Sequence, residues 1–92
     1  MKENITSKML GESVINSIAD HERYLSSDLV CIHCTKSEKL AYVDMAVTFL
    51  KDLVYHFYFN DFISVNELDY LEGKIDEFEN SWSFKKVTAM ST

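Results

Sequence analysis

Cys31 and Cys34, in the run Cys31-Ile32-His33-Cys34, are the first residues whose type and spacing suggest chemistry. Two cysteines three apart can supply half of a tetrahedral zinc site. No second pair exists to supply the other half, and His21, His33 and His56 are scattered along the chain. A zinc-linked regulatory domain would need His21, or the same pair from a second subunit, to complete it. A redox Cys-x-x-Cys normally opens a helix after a strand in a βαβ unit, and no such setting surrounds this one. Free cysteine commonly packs as a small hydrophobe. The expected role is therefore structural, with no metal and no cofactor.

Other catalytic constellations are equally thin. His56 lies among aromatics with no serine or cysteine that the sequence pairs with it. General acid–base work needs a carboxyl in a pocket that raises its pKa. The carboxylates here cluster on what reads as a solvated helix face. Only Gly11 and Gly73 occur, so there is no glycine-rich phosphate loop. A non-enzymatic protein is the expectation.

The acids themselves are the more informative group. From Asp52 to Glu79 there are eight acids and one base, Lys74, a formal charge of −7. The rest of the chain holds seven acids and eight bases. Phosphate contacts need clustered Lys and Arg, so direct binding to nucleic acid or to an anionic membrane is not expected. A cationic partner is.

These acids need a rod to hold them. Ser64 and Glu67 have the spacing of a capping box, a start signal for a helix. Val65, Leu68, Leu71, Ile75, Phe78 and Trp82 then recur at three or four and define a buried seam. Asp69, Glu72, Asp76 and Glu79 form a ridge beside that seam. Glu67, Tyr70 and Glu77 fall on the opposite flank, and Gly73 on the outermost position. Glu67 to Glu79 spans about 18 Å of helix axis. Six carboxylates over that length give one per roughly 3–4 Å, and the ridge alone about one per 5 Å. A DNA strand carries one phosphate per roughly 3.4 Å, a comparable density.

A second helix precedes it. Thr35 and Glu38 form another capping box. Leu40, Val43, Val47, Leu50, Val54 and Phe57 make one seam, and Tyr42, Ala46, Phe49 and Leu53 a second beside it. Asp44, Thr48, Lys51 and Asp52 leave only a narrow polar stripe. Such a helix must be covered from more than one side, as the centre of a domain or as half of a dimer interface. The short link over Asn60–Ile63 makes the last two helices an antiparallel hairpin. Tyr55, Phe57, Tyr58, Phe59 and Phe62 gather at that corner, as a packed cluster or as a dimer and contact surface.

The first helix is expected from about Ser7 to Leu25, capped by Asn4, Thr6 or Ser7. Its apolar residues Met9, Leu10, Val14, Ile15, Ile18 and Leu25 fall mostly on one face. Leu29–Cys34 reads as a strand-like connector or a helical turn. The fold class is therefore all-α: a small three-helix, or four-helix, bundle with a long apolar central helix and a C-terminal hairpin. Residues 1–92 form a single domain, with a frayed polar tail over 85–92. So short a chain buries about 60–65% of its unfolded surface, which makes a homodimer the expected state. The opening residues carry no apolar core of a secretory signal, and no stretch is long enough to span a bilayer. A cytoplasmic protein is expected.

In size, charge and class the chain resembles the small acidic proteins with which phages and mobile elements block host nucleic-acid enzymes. The resemblance implies a DNA-mimic inhibitor on the basic surface of a DNA- or RNA-binding protein. Glu67, Asp69, Glu72, Asp76, Glu77 and Glu79 would carry the binding, with Tyr70 as an anchor. The other expectation is a helical dimerisation or adaptor module working through the aromatic corner and the second helix.

Overall fold

Among the described residues, 2–82, a computed structural model shows four helices: α1 (Lys2–Ser26), α2 (Asp28–His33), α3 (Lys36–Phe59) and α4 (Val65–Ser81). Among the described residues there is no strand, so the fold is all-α. The tail expected over 85–92 lies outside the described residues.

Both capping boxes form as their spacing demands. Thr35 N–H donates to the Glu38 carboxylate at 2.8 Å, and Glu38 N–H to the Thr35 hydroxyl at 3.1 Å. Ser64 and Glu67 repeat the exchange at 2.8 and 3.2 Å. Each box satisfies backbone donors that a helix start leaves without intrahelical partners.

The α3–α4 turn is a Schellman motif. Phe62 N–H donates to the Phe57 carbonyl at 2.9 Å, and Asp61 N–H to the Tyr58 carbonyl at 3.0 Å. Asp61 takes the left-handed position at φ 62°, where glycine is usual and aspartate is tolerated.

One element differs from expectation, and one open alternative is decided. α1 begins at Lys2, so Asn4, Thr6 and Ser7 lie inside the helix instead of capping it. No breaker stands among these residues to stop the helix extending toward the N-terminus. Leu29–Cys34 resolves to a helical turn, α2, capped by the Ser27 hydroxyl. Its six residues join two long helices that run in opposite directions.

The core is one cluster. α1 contributes Val14, Ile18 and Leu25, α3 contributes Val43, Ala46, Val47, Leu50 and Val54, and α4 contributes Leu68, Leu71, Ile75 and Phe78, with Ile63 and Trp82 beside them. The α4 seam is buried as its spacing implies, except that Val65, in the first turn, is exposed. α3 and α4 are antiparallel and share the most extensive contact, while α1 packs more on α4 than on α3. The body is elongated, 50 × 20 × 15 Å. The second seam of α3 is only partly covered.

Candidate interaction surface

Three surfaces carry the residues singled out by the sequence. The first is the acidic face of α4. Asp69, Tyr70, Asp76 and Glu77 are exposed, and Glu67, Glu72 and Glu79 are half-buried. The rod and its outward acids are present, but most of the acids already have partners within the chain. Lys51 of α3 pairs with Asp76 at 3.1 Å, and Lys74 pairs with Glu77 at 3.4 Å. The Tyr55 hydroxyl donates to the Glu72 carboxylate. That carboxylate pushes the Tyr55 phenol above its ordinary value, chiefly through the hydrogen bond. Glu67 caps its own helix and also accepts from Ser7 of α1. Its carboxyl lies below the usual range, first because of the Ser64 backbone donor and then because of Ser7. The Lys74 ammonium sits 5.5 Å over the ring of Tyr70, engaging the expected anchor as well. The Lys51 ammonium is held above its ordinary value, chiefly by its hydrogen bond to Asp76, with further support from the charges of Glu79 and Glu72. One cation thus serves three acids of the ridge.

The second surface is the aromatic corner, which divides. Tyr55, Phe57 and Tyr58 are half-buried against the core. Phe62 is exposed, and Phe59 is 75% exposed. The Phe59 ring lies 6.2 Å from that of Tyr55, stacked, and 5.5 Å from that of Tyr58, tilted. These contacts form within the chain and leave the outer edge of Phe59 open.

The third surface lies on α3 itself. Phe49 was expected in a buried seam with Tyr42, Ala46 and Leu53. Ala46 is buried and Tyr42 and Leu53 are half-buried, but Phe49 is 63% exposed. Met45, one turn before it, is 56% exposed. Both residues point away from the core that α3 shares with α1 and α4, and α1 packs more on α4 than on α3. Met45 and Phe49 straddle the direction opposite the buried Val47, at 100° per residue. Glu38 and His56, both exposed, lie about five turns apart on the same line. Sequence reasoning did not assign Met45. Its i, i+4 relation to Phe49, facing away from Val47, is the signal that finds the pair.

The cysteines are placed apart from all three. Cys31 is exposed on α2 and Cys34 is half-buried just past its end, while His33 is exposed between them. Among the described residues no three His, Cys, Asp or Glu side chains gather as metal ligands. His21 does not approach the pair as a ligand. Its Nδ1 lies 2.6 Å from the Tyr42 hydroxyl, and its ring 6.1 Å from that of Phe78. Burial holds its imidazole below the ordinary histidine value.

Two open grooves of about 230 and 200 Å³ follow the line between α1 and α4 and share Ile15. Among the described residues no helix is long and apolar enough to cross a membrane.

The fold and these surfaces define the class: a small all-α helical bundle. Compared with family models, with curated proteins and with solved structures, the chain matches none.

Proposed function

We propose that this protein works by binding another protein chain through the outer flank of α3. The observation that carries this reading is the exposed pair Met45 and Phe49, side by side in the middle of the most apolar helix. Single exposed apolar residues are ordinary, but two large neighbours on a stiff rod make a patch whose burial rewards association. Helix-in-groove and helix-on-helix recognition both use anchors at such spacing. The acidic α4 face on the same small body favours cationic partners and repels anionic ones, steering encounter more than setting affinity.

A photo-crosslinking residue in place of Phe49, in the living cell, tests this. The reading predicts adducts well above the mass of the chain. The same residue in place of Asn16, exposed on α1 and polar, should give far fewer. Equal yields at the two positions would contradict it.

The charge of −7 over Asp52–Glu79 supports a second reading, the DNA-mimic inhibitor. It depends on Glu67, Asp69, Glu72, Asp76, Glu77 and Glu79, with Tyr70 as an anchor and with Lys51 and Lys74 set against it from within. It predicts a complex with a basic nucleic-acid-binding protein that weakens steeply with salt. Binding unchanged at about 0.5 M salt, where the Debye length is only ~4 Å, would count against it.

A further inference from the structure

We propose that the chain which covers the α3 flank is a second copy of this protein, paired antiparallel about a two-fold axis opposite Val47. This rests on the reading of that flank as a binding surface. A two-fold antiparallel helix pair matches residues whose numbers have a constant sum. With the axis at Val47, Met45 faces Phe49 of the second copy, and Phe49 faces its Met45. The two exposed anchors of each chain thus meet the two of the other, which is the self-complementarity an isologous interface requires.

The flanking residues match in the same register. Glu38 faces His56 of the second copy, setting a carboxylate against an imidazole. The Glu38 carboxylate caps its own helix from an exposed position. Ala41 faces Leu53, a small side chain against a large one. All of these lie on one side of α3: Glu38, Ala41, Met45, Phe49, Asp52 and His56 are exposed, and Leu53 half-buried. A parallel pairing would set Glu38 on Glu38 and Asp52 on Asp52, which like charges oppose. Repulsion between like carboxylates therefore disfavours the parallel register and leaves the antiparallel one. Neither Lys51 nor the α4 ridge is involved, so the acidic faces stay outward on the assembled body.

The experiment uses the full chain at several concentrations in sedimentation equilibrium. A dimer is expected. Phe49→Asp should raise its Kd by about 30-fold or more, the effect of removing a central anchor. Met45→Lys should act in the same direction, and it serves if Phe49→Asp unfolds by circular dichroism. Orientation is read from a spin label at Ser37→Cys, with Cys31→Ser and Cys34→Ser. The antiparallel register places the two labels about 30 Å apart along the axis, whereas a parallel pair holds them near the ~10 Å helix spacing. A short distance, or a dimer indifferent to both substitutions, overturns the proposal. So does a monomer at every concentration. A monomer that still crosslinks through position 49 to a different protein overturns the second copy and leaves the binding flank standing; a monomer with no such adducts overturns both.

Discussion

Lys51 on α3 and Asp76 on α4 meet at 3.1 Å, four residues before Tyr55 and four after Glu72, which also meet. The two contacts define the antiparallel register of the hairpin and tie the acidic ridge to the helix beside it. The Lys51 ammonium also lowers the negative charge that the ridge presents outward. Lys51→Gln should cost only about 0–1 kcal/mol, because both partners are partly exposed. The same change should tighten binding of a cationic probe such as polylysine at low salt. Thermal melts and titration check the two effects. Unchanged polylysine affinity would mean that the ridge is not an accessible anionic surface.

Stability should fall between pH 7.5 and 5.5 because of His21. Its folded pKa lies below the ordinary 6.5, owing to burial. Above 6.5 the imidazole is neutral in both states and its contribution is intact. As the pH drops through 6.5 the unfolded chain takes up a proton that the folded chain resists, so unfolding gains. Urea midpoints should show this slope in the native chain and a flatter one in His21→Gln. A second loss should begin below about 4.5, where Glu38 and Glu67, both lowered by their capping bonds, start to protonate in the unfolded chain.

Two backbone positions should accept stabilising changes. A Cβ at Gly73 meets nothing within 4 Å, so Gly73→Ala should add up to about 1 kcal/mol through helix propensity. Asp61→Gly should add up to about 1 kcal/mol by relieving the left-handed strain of the Schellman turn. A β-branched residue at position 61 should instead destabilise. Denaturant midpoints measure all three, and a destabilised Gly73→Ala would contradict the open surface described there.

Removing a cap should be felt at the hairpin. Ser64→Ala deletes the hydroxyl that accepts Glu67 N–H and should cost about 1 kcal/mol. The loss should appear as a lower melting temperature without loss of the other helices. A change within error would show that solvent replaces the bond.

Local signals were the legible part of this fold. Both capping boxes and the α4 seam follow from spacing within a few residues, and these survive whatever surrounds them. The start of α1 did not, because Asn4, Thr6 and Ser7 are cap residues by type while nothing beside them stops a helix. Asp61 hides the Schellman turn, since aspartate stands where glycine would announce it. The candidate surfaces depended on tertiary placement. Phe49 is apolar and correctly spaced for a core, and only the packed helices show that it faces outward, away from Val47. Lys51 and Asp76 lie far apart in sequence, so the partial neutralisation of the ridge was not readable before the helices were packed.

Met9 and Met45 provide a matched pair for testing the binding flank. Both are well exposed in the chain alone, Met9 at 64% and Met45 at 56%. Brief oxidation of cells making the protein, followed by mass spectrometry of the two methionines, compares them under one condition. If the α3 flank is covered by a protein chain, Met45 will be protected while Met9 is converted to the sulfoxide. Equal oxidation of the two would contradict the account.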